Sequence, residues 1–194
     1  MLSSCNRAFK EWNISCDAMT QGRQTVLVRK GGIREEGGRF VIDDREFWLM
    51  PTFDHQNAEL LQSEFSARLS DHTSRPAPGE IVIPGYALVH TIWIASDEET
   101  LNRLCGEMIW NREYVKQRFD YSPYDPLYVL LLRVYRPSQP IVIPACASYG
   151  GCKSWVTLDQ SLSTHGLTPS ISDEEFEVRY RAMEPLTAST AYLI

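Results

Sequence analysis

The sequence predicts an α+β fold: a mixed or antiparallel sheet with flanking helices. Three observations lead there. Helix-like and strand-like segments are mixed without the strict βα alternation of a doubly wound sheet. Leu127 to Leu132 is apolar on both faces, the pattern of a strand covered on both sides. Two capping boxes, Ser96-x-x-Glu99 and Ser172-x-x-Glu175, each precede a run of helical spacing.

The elements follow in order. Cys5, Phe9, Trp12, Cys16 and Met19 recur at steps of 4, 3, 4 and 3, one stripe of a helix. Ser3 or Ser4 would cap it and Gly22 would end it. Thr25 to Lys30 reads as a strand. Phe40 to Ile42 and Phe47 to Met50 read as its hairpin partner, across a Gly-rich charged loop. A helix is expected from about Asp54, with Leu61, Phe65 and Leu69 on one face. Residues 71–79 are rich in Pro, Ser and Gly without periodicity and read as a linker. The chain is therefore one domain over 1–194, or two lobes, 1–70 and 80–184.

Beyond the linker, Ile81 to Ile83 and Leu88 to Ile94 read as strands. Leu101, Leu104, Cys105, Met108 and Ile109 have helical spacing, and a second helix runs from about Asn111 to Phe119. Ile141 to Ile143 and Trp155 to Leu158 are further strands. Phe176, Tyr180 and Met183 mark a last helix, ended by Pro185.

The chain has 194 residues, 43% hydrophobic and 23% charged, which excludes a disordered, collagenous or disulfide-stapled protein. Five cysteines, an odd number without a CxxC pair, are expected as reduced thiols with no metal site. Phosphate-loop, dinucleotide, nucleophile-elbow and zinc-protease motifs are absent, so no cofactor is expected. No apolar run is long enough to span a bilayer and no secretory leader is visible, so the cytoplasm is the expected location. Oligomeric state is left open.

A net charge of −6 argues against a strong nonspecific polyanion binder. The basic residues are nevertheless gathered in islands. Arg29, Lys30, Arg34 and Arg39 frame the Gly-rich loop, where backbone N–H groups could approach a phosphate. Arg112, Lys116 and Arg118 alternate with Trp110, Tyr114 and Phe119, a composition that suits phosphates and stacked bases. Lys153 stands beside Cys152, in a Gly-Gly turn before Trp155. These eight cations are the candidate anion or nucleic-acid residues. The competing readings are a solvated hairpin turn and an amphipathic helix with its charges outward.

His55, Cys152 and Trp155 form a candidate pocket, since a thiol needs a histidine base to act as a nucleophile. His90, inside an apolar strand, reads as a core histidine. Arg133, in an apolar strand, requires an acidic partner or an outward course.

The segments AFKEW (8–12), LVRKGGIREEGGRF (27–40), REFWLMPTFDHQ (45–56), PLYVLLLRVYR (126–136) and YGGCKSW (149–155) resemble a bacterial domain-of-unknown-function family, number 1802 in that series. The resemblance runs from about 7 to 158. It implies no assigned activity. Some members are joined to restriction-endonuclease-type domains, which implies a noncatalytic module of a restriction-modification or defence system, with nucleic acid or a nuclease as partner. The stretch from Leu88 to Tyr135 also resembles small β-barrel modules of the pseudouridine-synthase-associated type, which bind RNA or flipped bases. An enzyme built on His55 or Cys152, and a protein-interaction scaffold, are the alternatives.

Overall fold

The computed structural model describes residues 1–30, 35–36, 39–40, 45–70, 75–95, 97–121, 126–151, 153–183 and 191–193. Its centre is a mixed sheet of eight strands. These are β1 (Ser4–Trp12), β2 (Val26–Lys30), β5 (Glu46–Thr52), β7 (Gly85–Ala95), β8 (Leu127–Arg136), β10 (Trp155–Ser163), β11 (Thr168–Pro169) and β12 (Ala191–Leu193). The order is β10-β1-β5-β7-β8, with β2 and β11 along the far side of β8 and β12 on β7. Only β1 and β5 run parallel; every other pairing in this sheet is antiparallel. Two small ladders stand apart, β3 (Glu35–Glu36) with β4 (Arg39–Phe40), and β6 (Glu80–Ile83) with β9 (Ile141–Pro144).

The sheet curls on itself. From β1 to β2 there are four inter-strand steps, roughly 19 Å if flat. Yet Arg29 of β2 forms an ion pair with Glu11 of β1. The curl encloses Phe9, Leu27, Phe47, Leu49, Val89, Ile92, Tyr128, Leu130 and Leu132, one inward set from five strands. Helix α1 (Asn13–Thr20) follows β1 without a loop and adds Cys16 and Met19 to this interior. Outward residues of β2, β7 and β8, among them Val28, Trp93, Val129 and Leu131, pack against a helical layer. That layer contains α2 (Ser63–Ser66), α3 (Glu98–Arg103), α4 (Arg112–Asp120) and α5 (Asp173–Met183). The β6–β9 ladder covers the other outward face through Ile83 and Ile143, against Trp48, Tyr86 and Val156.

Amide side chains tie the helical layer together. Gln62 Nε2 donates to the carbonyls of Cys105 at 2.6 Å and Met108 at 2.7 Å, and Gln24 Oε1 accepts from Ile109 N–H at 3.1 Å. Asn111 caps α4 by accepting from Glu113 and Tyr114 N–H. Ser172 caps α5 as its sequence box predicts, accepting from Glu175 N–H at 3.1 Å.

β8 is interior, as its two-sided apolarity predicts, and Leu127 to Val134 are all buried. Arg133, facing the helical layer, meets the Asp173 carboxylate and lies 4.9 Å from the Phe176 ring centroid. Three other expectations are corrected, and a fourth lies outside the described residues. The stripe from Cys5 to Met19 is not one helix: residues 4–12 are a strand, and the helix begins only at Asn13, so Ser3 and Ser4 cap nothing. β2 and β5 are both strands but not a hairpin, for β2 pairs with β8 and β5 lies between β1 and β7. No helix starts at Asp54; Leu61 is extended and bridges Trp110, while Phe65 and Leu69 sit in short α and 3₁₀ turns. Ser96 lies outside the described residues, and Asp97 accepts from Thr100 N–H at the head of α3.

His90 is not a core histidine. The β7–β8 register slips between Val89 and Thr91, so His90 is the extra residue of a bulge and stands at the rim of the helical layer. Its exposed ring stands edge-on to Phe176 at 5.1 Å and Tyr180 at 5.3 Å.

Glu11→Ala would leave Arg29 largely buried without its carboxylate and should lower the unfolding free energy by about 3 kcal/mol. The double variant Glu11→Met/Arg29→Met should recover most of that loss. Urea melts of both measure it, and equal losses would show that the charge pair is not what closes the curl. Desolvation, with Arg133 nearby, holds His90 below the ordinary histidine range, against an opposing pull from Glu177. The unfolded chain therefore binds the proton first. Stability should fall as pH drops below the ordinary value of about 6.5. Replacing His90 by Gln should flatten that part of the pH–stability curve.

Candidate functional site

Helix α1 has three faces. Cys16 and Met19 enter the curled sheet, and Ile14 and Ala18 enter the helical layer. Asn13, Asp17 and Gln21 fall at i, i+4 and i+8 and line a cavity of about 600 Å³. Phe53 and Gln56, from the loop after β5, line it as well, with Arg68 from the 3₁₀ turn and Arg75. Asn13, Asp17, Phe53 and Arg75 also line a second cavity of about 360 Å³, whose other walls include Pro51, Pro84 and Ile81. Both volumes fall in the range of ligand pockets.

The polar groups here are ordered. Asn13 Nδ2 donates to Asp17 Oδ2 at 3.2 Å. Gln56 Oε1 accepts from Ile14 N–H at 3.4 Å. The Arg75 guanidinium lies 5.3 Å from the Phe53 ring centroid, and Arg68 Nη1 donates to Gln21 Oε1 at 3.5 Å. Burial raises the Asp17 carboxyl above its ordinary range, against the bond from Asn13 and the charge of Arg68. Guanidiniums suit anionic oxygens, a ring and a guanidinium plane suit stacking, and amides suit the edges of heterocycles. Among the described residues, no three His, Cys, Asp or Glu side chains converge as metal ligands.

The residues singled out from sequence lie elsewhere. Arg29 is committed to Glu11, 4.4 Å above the Phe9 ring. Lys30 Nζ donates to the Phe119 carbonyl at 2.6 Å, which brings the two basic islands together where β2 meets the end of α4. On α4, Arg112 and Lys116 are exposed, while Arg118 lies over the Tyr114 ring at 4.9 Å. Lys153 donates to the Ser148 carbonyl. Arg34 and the side chain of Arg39 lie outside the described residues, as does Cys152. Trp155 packs edge-on against Phe9 and Phe47 at the mouth of the curl. His55 sits in an exposed turn after β5 with φ at +59°.

The cavity residues were missed for definable reasons. Asn13, Asp17 and Gln21 were legible only as the side of a helix opposite its apolar stripe. Phe53 and Gln56 flank His55 in the turn after β5, a loop that the sequence marks only by its histidine. Arg75 lies in the stretch read as a linker.

A curled mixed sheet with helices on one outward face, and a polar cavity along its first helix, defines an α+β fold. The chain belongs to the family described as domain of unknown function (DUF1802), whose model matches residues 8–182. No curated protein matches it. It is similar to the crystal structure of ASCH from Zymomonas mobilis, at 18% identity and a TM-score of 0.42, over 90% of this chain and 93% of that one. A point mutant of that protein gives 16% identity and a TM-score of 0.41, over 90% of this chain and 96% of that one.

Because burial disfavours the charged form of Asp17, stability should decline as pH rises from the ordinary carboxylate range through the raised value, then level off. Asp17→Asn should remove this dependence. Thermal melts from pH 3 to 8 measure it; parallel curves for the two proteins would refute it.

Proposed function

We propose that this domain is a noncatalytic module that binds single-stranded nucleic acid in the groove along α1. The observation that carries the reading is the groove itself, where two arginines, a ring and three amide side chains surround a cavity of about 600 Å³. Its combination of groups is that of a single-strand site: cations for the phosphates, a stacking platform for a base and amides for its edge. The exposed Arg112 and Lys116 of α4 offer further phosphate contacts. The restriction or defence setting, with a nuclease partner, rests on the family resemblance alone.

The acidic balance of the chain agrees with local rather than nonspecific binding. With few cations engaged, affinity should be modest and should fall as salt rises. Fluorescence anisotropy with labelled single-stranded RNA, single-stranded DNA and duplex DNA at low salt tests the reading. Single strands should bind more tightly than duplex. Phe53→Ala should weaken binding about tenfold or more. Arg68→Ala should weaken it evenly across sequences and reduce the salt slope by about one. No binding to any of the three ligands would sink the proposal and favour a protein-interaction role.

A further inference from the structure

We infer that the base held in this groove is guanine, taken through its Watson–Crick edge by the carboxylate of Asp17. The inference rests on the single-strand reading above and adds the identity of the base. Asp17 is the one acid that lines both cavities among the described residues. An ionised carboxylate is acceptor-only. Asn13 donates to Oδ2, so that oxygen serves as an acceptor, and the charge of Arg68 favours the ionised form against the burial that opposes it.

Among the four common bases, only guanine presents two adjacent N–H donors, N1–H and the 2-amino group, which match the two oxygens of a carboxylate. Adenine and cytosine set a ring-nitrogen lone pair beside their amino group, and uracil flanks its single N–H with carbonyls. Each of these turns a lone pair toward the carboxylate, leaving a partly buried acceptor opposed rather than bonded.

The rest of the groove fits the same base. Gln56 accepts from Ile14 N–H at Oε1, which leaves Nε2 as the donor end for the guanine 6-oxo group. The Arg75 guanidinium already lies over Phe53, so its plane is ordered before a ligand arrives and offers a face on which a purine can stack.

The test is a competition titration on the intact chain, using single-stranded hexanucleotides with one variable position set to guanine, inosine, adenine, cytosine or uracil. Inosine keeps N1–H and lacks the 2-amino group. Guanine should bind about tenfold to a hundredfold more tightly than adenine, cytosine or uracil, with inosine between. Asp17→Asn should erase the preference for guanine while leaving the Arg68-dependent salt slope intact. Equal binding of all five ligands, or a preference for another base, overturns the inference and leaves the single-strand reading standing. No binding by any ligand overturns both. Should Asp17→Asn fail to fold, the inosine-for-guanine comparison on the unaltered protein decides alone.

Discussion

The ion pair between Glu11 and Arg29 is the constraint on which the rest of this architecture depends. The two residues lie on strands at opposite ends of a five-strand path, and their contact requires the sheet to close over its own interior. Both side chains are largely buried, so neither charge can be left without the other. Glu11 has a second task. Its other carboxylate oxygen accepts from Trp12 N–H at 2.8 Å, where the chain leaves β1 and turns into α1. The same carboxylate thus closes the sheet and sets the corner at which the first helix begins.

The groove is a consequence of that corner. With no loop between β1 and α1, the helix has little freedom to rotate, and its three faces are assigned by what surrounds it. Sheet interior and helical layer take the apolar faces, so Asn13, Asp17 and Gln21 face the loop after β5. Gly85 sets how closely α1 may approach the sheet: a Cβ there would meet Thr20 Cγ2 at 2.6 Å and the Tyr135 carbonyl oxygen at 2.9 Å. Gly22, at φ +73°, lets the chain leave the helix in a left-handed turn, with Ile171 against its Cα. A site made of amides and arginines is in this way held by apolar packing one or two residues away along α1.

What the sequence disclosed depended on how local each cause was. The Ser172 cap, the Asn111 helix and the two-sided β8 are decided by neighbouring residues or by burial alone, and all three were legible. The first strand was not. Its steps of 4, 3, 4 and 3 fit a helix, and what makes Ser4–Trp12 extended is pairing with Trp48 and Val156, far along the chain. The same holds for β2 and β5, recognisable as strands and misassigned as partners, because apolar content does not encode which strand lies alongside. The bulge at His90 was invisible, since a bulged residue in an apolar run looks like a paired one. Of the groove, only the loop around His55 stood out; its other walls come from an ordinary helix face and a Pro-rich stretch.

The placement of β1 has a bearing on how the chain acquires its structure during synthesis. One neighbour, β5, begins over 30 residues later, and the other, β10, only at Trp155. At roughly 10 residues per second, the first strand waits on the order of 15 seconds for its outer partner. For that time Ala8 and Phe9 are made but lack the strand that covers one edge of β1. Long-range pairings of this kind also place the domain among slow folders, in the millisecond-to-second range, because loop closure precedes the contacts that reward it.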